Sequence, residues 1–127
     1  MKKLNKLYWL KLEISQIENQ IKELTVLSAT TMNGMPSGSK VTSPVERFYD
    51  RLERLKAKLQ AKLDEYIIEK ERIEDYIENI EDAEVRVIAR KRFIENKDYQ
   101  TIGDEMYIDR TTAYKKLKRY FERTEEE

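Results

Sequence analysis

After Leu4, the apolar positions of the first segment fall at Leu7, Leu10, Ile14, Ile17, Ile21 and Leu24. The steps alternate between three and four residues, which keeps the side chains on one stripe of a helix and marks the a and d seam of a coiled coil. The spacing predicts a helix over residues 4–27, about 36 Å long at ~1.5 Å per residue. Tyr8, Trp9 and Leu12 widen its apolar face near the start.

The periodicity stops at Ser28. Residues 28–43 hold two of the three Gly and one of the two Pro, and they read as a loop of about 15 residues. Gly34, Gly38, Ser39 and Lys40 outline a phosphate-binding loop, but the spacing is one residue short and no hydrophobic strand precedes it, so nucleotide binding is not expected. Ser43-Pro44-Val45-Glu46 then has the form of a helix start, with Ser as cap, Pro at the first helical position and Glu three residues after the cap. The apolar stripe resumes through Phe48, Leu52, Leu55, Leu59, Leu63, Tyr66, Ile67, Ile73, Ile77 and Ile80. Its consecutive four-residue steps at Leu55, Leu59 and Leu63 are a stutter that locally unwinds a supercoil. The simplest architecture is an antiparallel hairpin of two long helices; a parallel dimer through the same seam uses the same positions.

Near residue 80 the texture changes to three short amphipathic segments joined by tight turns. The first, about 82–95, aligns Val85, Ile88, Ala89 and Phe93; the second, about 99–106, turns Ile102, Gly103 and Met106 inward. The third, about 110–123, is capped by Asp109 and presents Ala113, Leu117 and Phe121 to a core. The predicted fold is therefore all-α. It divides into a helical hairpin over 1–80, for support or oligomerisation, and a trihelical helix-turn-helix unit over 81–127. Such a small unit is marginal alone, so the hairpin, or a partner chain, is expected to pack against Val85, Val87 or Tyr120. Thr124 to Glu127 form an acidic tail.

Composition narrows the chemistry. The 127 residues are 39% hydrophobic and 39% charged, and they contain neither Cys nor His. Thiolate nucleophiles, zinc sites and the commonest general base are thus missing, and neither an enzyme activity nor a metal or other cofactor is expected. Glu69, Glu71, Glu74, Asp75, Glu78, Glu81, Asp82 and Glu84 fall at helical spacing and read as a solvated face. With no apolar run of membrane length and no secretory leader at Met1-Lys2-Lys3, the chain reads as a soluble cytoplasmic protein that does not enter a membrane.

The formal net charge is zero, so only its distribution can point to a partner. From Arg86 to Arg123 eleven basic residues face six acidic ones. Arg110, Lys115, Lys118 and Arg119 fall mainly opposite Ala113 and Leu117 on the third short helix, with Thr111, Thr112 and Tyr114 near its start. A helix of this kind can enter the major groove of double-stranded DNA, its first residues at base edges and its later cations at phosphates. Basic residues near a helix C-terminus are favoured by the macrodipole, but Arg110 and Lys115 lie in the first half, where that explanation fails. Among the aromatics, Tyr99 and Tyr120 are expected to pack within the unit, and Tyr114 to be available for a DNA contact.

The run Asp98-Tyr-Gln-Thr-Ile-Gly-Asp-Glu-Met-Tyr-Ile-Asp-Arg-Thr-Thr-Ala-Tyr-Lys-Lys-Leu-Lys-Arg resembles the helix-turn-helix of sigma-factor region four. With Val85-Arg-Val-Ile-Ala-Arg-Lys-Arg-Phe-Ile-Glu-Asn before it, it is similar to phage transcriptional regulators of the RinA and ArpU kind. The resemblance implies that Ile102 and Met106 point inward and that Ile108 is the apolar turn residue. It also implies that Gly103 occupies a position where a small residue, often Ala, lets two helices approach. Arg110, Thr111, Thr112, Tyr114 and Lys115 would then face the groove. Tyr107 departs from the pattern, standing where the turn usually has Gly.

Together these readings lead to an expected DNA-binding transcriptional regulator with double-stranded DNA as partner, working with a second copy or with host RNA polymerase. Two alternatives share its parts: a coiled-coil assembly protein whose basic helix meets an acidic partner, and a phage terminase small subunit.

Overall fold

A computed structural model of the chain describes residues 2–31 and 43–125. Among them are five α-helices and no strand: α1 (Lys6–Thr31, entered through a 3₁₀ turn at Lys2–Asn5), α2 (Pro44–Glu78), α3 (Ala83–Ala89), α4 (Tyr99–Met106) and α5 (Arg110–Glu125). The all-α expectation therefore holds. No described helix is long and apolar enough to cross a membrane. The expected loop begins later than the sequence suggested, because Ser28-Ala-Thr-Thr carries no Gly or Pro and α1 runs on to Thr31. The rest of that loop, with the Gly34–Lys40 motif, and the final two residues of the acidic tail lie outside the described residues.

The helix starts follow from local chemistry. Ser43 Oγ accepts the Glu46 N–H at 3.1 Å, and Asp82 accepts from Glu84 and Val85 at 2.9 and 3.3 Å. Asp98 accepts from Thr101 at 2.8 Å. Each bond satisfies a donor that the first helical turn leaves open.

Two compact units emerge, one of Leu10–Tyr66 and one of Met1–Trp9 with Ile67–Glu127. In the first, Leu10, Ile14, Ile17 and Leu55 are buried, and Lys62 Nζ lies 2.7 Å from Glu13 Oε2. That pair sets the direction of the two helices. Were they parallel, residues 31 and 44 would lie roughly 54 Å apart at ~1.5 Å per helical residue. The thirteen peptide steps between them span at most about 47 Å, so the helices run antiparallel.

The second unit takes in more than the 81–127 segment marked out from sequence. Leu4, Leu7, Ile73, Ile77 and Ile80 are buried in it along with Val85, Ile88, Ala89, Phe93, Ile102, Ala113, Leu117 and Phe121. A fully buried Ile or Leu contributes about 1.5–3 kcal/mol, which is why so short a trihelical segment gains from the added helical length. Tyr76 stacks on Phe121 at 6.3 Å, and Tyr120 meets the same ring edge-on at 5.5 Å. Of the three residues expected to find such packing, Val85 is buried and Tyr120 half-buried, while Val87 stays 36% exposed.

Between α3 and α4 the helix widens into a π turn at Arg90–Ile94. The Glu95 N–H donates to Arg90 O at 3.1 Å and the Lys97 N–H to Lys91 O at 3.0 Å. Phe93, four residues after Ala89, is buried within this turn. Asn96 closes it at φ 58°, a conformation that Asn tolerates better than most residues.

Two expectations for α2 are corrected. Ile67 was placed on the apolar stripe but is 54% exposed; Tyr66, Ile67 and Ile68 are consecutive, and 100° steps around a helix cannot turn all three inward. Glu69 was assigned to a solvated face yet is buried, at the three-four step between Tyr66 and Ile73. Its carboxylate accepts from Arg72 Nε at 3.2 Å and lies 4.0 Å from Lys6. The Arg72 hydrogen bond holds its pKa below the ordinary glutamate value, against the opposing effect of burial.

Candidate nucleic-acid interface

The angle at which α5 leaves the fold is set by the turn after α4. Tyr107 adopts φ 57°, ψ 40°, the left-handed conformation that a helix-ending residue needs and that Gly usually supplies. The N–H groups of Tyr107 and Ile108 both donate to Gly103 O. Gly103 itself is buried under the turn: a β-carbon there would lie 2.6 Å from Ile108 O and 3.1 Å from Arg110 N. The alanine that the family resemblance allows at this position does not fit here, because the obstacles are backbone atoms. Ile102 is fully buried as expected, while Met106 and Ile108 are half-buried.

A carboxylate fastens α4 to the π turn. Glu105 Oε2 lies 2.8 Å from Lys91 Nζ and accepts from Lys97 Nζ at the same distance. Those two ammonium groups hold Glu105 below its ordinary pKa, and Lys97 is correspondingly raised by Glu105 and then Glu95. The lowered Glu105 pKa contributes stability above the ordinary glutamate value that is lost as pH falls through the lowered one. The raised lysine value matters only at strongly alkaline pH. We expect the melting temperature to fall on acidification and Glu105→Gln to flatten part of that acid limb, measured by circular dichroism against pH. An identical limb in the variant would show that the clasp contributes nothing.

Such pairings sort the basic residues of the C-terminal segment into two groups. Arg86 donates to Ile80 O at 2.8 Å, Arg90 to Glu78 at 2.7 Å and Arg92 to Lys97 O at 3.0 Å, with Lys91 and Lys97 on Glu105. All five are engaged within the fold. On α5, Lys116 is tied to Glu84 at 2.6 Å, and Lys118 sits 4.0 Å from Glu122. Arg110, Lys115, Arg119 and Arg123 are exposed and have no ion pair among the described residues.

Ala113, Leu117 and Phe121 turn inward on α5. Thr111, Lys115, Lys118 and Arg119 face away from them and are exposed, and Arg110 opens the helix, also exposed. Thr112 is half-buried. Tyr114 is 39% exposed, with its ring edge-on to Tyr99 at 5.3 Å and Lys118 Nζ 5.8 Å from its centre. Tyr99 packs as expected, under the Arg92 guanidinium at 4.8 Å, and burial raises its hydroxyl pKa. The residue that sequence reasoning passed over is Tyr107, 95% exposed; only its departure from Gly marked it.

No group of three or more His, Cys, Asp or Glu that could hold a metal occurs among the described residues. A cavity of about 400 Å³ lined by Asn5, Tyr8, Trp9, Arg92, Asn96 and Asp98 carries no nucleophile beside a base.

Residues 26–124 match the model of the family described as protein of unknown function DUF1492. The chain belongs to this family. The matched range takes in α2, α3, α4 and nearly all of α5. No curated protein and no solved structure matches the chain.

Proposed function

We propose that this DUF1492 protein is a sequence-specific, double-stranded DNA-binding transcriptional regulator, of the phage-encoded kind its helix-turn-helix resembles, working in the cytoplasm without catalysis. The observation that carries the reading is the sorting of cations. Five basic side chains of residues 86–97 are engaged within the fold, whereas Arg110, Lys115, Arg119 and Arg123 on α5 are exposed and have no acidic partner among the described residues. Lys115, Arg119 and Arg123 share the outer face of α5 and Arg110 stands exposed at its first residue; such unneutralised cations are an electrostatic footprint for a polyanion.

In this reading α5 enters the major groove, Arg110, Thr111, Thr112, Tyr114 and Lys115 approach base edges, and Lys118 and Arg119 hold phosphates. The half-burial of Thr112 and the packing of Tyr114 on Tyr99 reduce what those two can reach, so Arg110, Thr111 and Lys115 carry most of the readout. One module of this size leaves specificity to be completed by a second copy or by host RNA polymerase.

The test is affinity for duplex DNA as a function of salt. Neutralising about five phosphates gives a log–log slope of roughly −4 to −5. Fluorescence anisotropy with AT-rich and GC-rich duplexes between low and moderate salt measures it. Affinity indifferent to salt would overturn the reading.

A further inference from the structure

Tyr107 is at odds with the fold that contains it. Its backbone sits at φ 57°, which costs a non-glycine residue roughly 1 kcal/mol. Nothing within the described residues offsets that cost: the side chain is 95% exposed and makes no hydrogen bond or ring contact there. A glycine would end α4 more easily and would keep the bond from the residue 107 N–H to Gly103 O. The described residues therefore give the tyrosine side chain no role, and its exposed ring and hydroxyl are open to a partner. It stands three residues before Arg110, at the entrance to the exposed cationic face of α5.

We propose that the Tyr107 hydroxyl donates a hydrogen bond to a backbone phosphate of duplex DNA beside the groove that α5 enters; this rests on the DNA-binding reading above. The chemistry suits the place. Tyrosine is one of the side chains that position proteins on phosphates. An uncharged donor also serves well between Glu105, already shared by two lysines, and the exposed Asp109, where a further cation would be drawn to carboxylates.

The decisive variant is Tyr107→Phe, which keeps the ring and the backbone and removes only the hydroxyl. Anisotropy with the full chain and two duplexes, AT-rich and GC-rich, should show about tenfold weaker binding to both. The salt slope should be unchanged, since no charge is lost. Wild-type affinity in Tyr107→Phe, or a loss confined to one duplex, overturns the proposal; the second result would mean a base contact. Tyr107→Gly supplies an independent arm: its melting temperature should rise while its affinity falls at least as far as that of the Phe variant, and a Gly variant that binds like wild type again overturns it. If the wild-type chain binds neither duplex, the DNA-binding reading fails and takes this proposal with it. If the wild type binds and the Phe variant binds equally, only the role of Tyr107 fails.

Discussion

Gly103→Ala should lower the unfolding free energy by about 3 kcal/mol, at the upper end of what overpacking one methyl group usually costs. The size follows from what the methyl meets. Ile108 O at 2.6 Å and Arg110 N at 3.1 Å are backbone atoms, held by the α4 turn on one side and the first turn of α5 on the other. Neither can swing aside as a side-chain tip would. Relief requires opening the turn, which weakens the bonds from Tyr107 and Ile108 N–H to Gly103 O and pulls Ile102 and Leu117, both fully buried, out of register. Denaturant unfolding of wild type and variant measures the difference, and a loss under 1 kcal/mol would mean that the approach of the two helices is looser than these distances imply.

The second large effect concerns binding. Reversing two charges in Lys115→Glu/Arg119→Glu should weaken duplex affinity more than about 100-fold at moderate salt and reduce the magnitude of the salt slope by at least about 1, the share of the Arg119 phosphate contact. These residues are one turn apart on the exposed face and have no ion pair among the described residues, so the fold should survive the change, as circular dichroism would show. A matched control, Lys11→Glu/Lys22→Glu on α1, alters net charge equally at exposed positions on a helix that the DNA-binding reading does not use, and should leave affinity within about threefold. Equal losses in both variants would reduce the interaction to bulk charge. Retained affinity with an altered oligomeric mass would favour the interaction scaffold over the regulator.

Helix starts are local events, and the Ser43 cap is legible in the sequence; Asp82 and Asp98 also cap, whereas Asp109, the cap expected for α5, accepts among the described residues only the backbone N–H of Ala113 at its carbonyl. The inward positions Ile88, Phe93, Ile102, Ala113, Leu117 and Phe121 follow from helical spacing alone. The sorting of cations is not legible. Arg90 finds Glu78 twelve residues back, Lys91 finds Glu105 fourteen residues on, and Lys116 reaches Glu84 on another helix. Counting charges along the chain cannot distinguish these from Lys115 or Arg119. Glu69 stood on the stripe at the right spacing, but its polarity hid it. The wide turn at Arg90–Ile94 leaves no signal in hydrophobic period, since one extra residue per turn is lost in the short segment. The exposure of Tyr107 follows from a backbone conformation that its residue type disfavours.

Electrostatics in this molecule works at two ranges. The clasp of Glu105 with Lys91 and Lys97, like the bond from Lys116 to Glu84, closes to under 3 Å, well inside the Debye length of about 10 Å at 0.1 M salt. The pull of the exposed cations of α5 on a polyanion, as proposed, would act over about that length and be screened beyond it. Mobile ions therefore dissolve the outer attraction long before they loosen the inner contacts. If the proposed DNA contact holds, a chain washed from it by salt should leave folded and rebind on dilution.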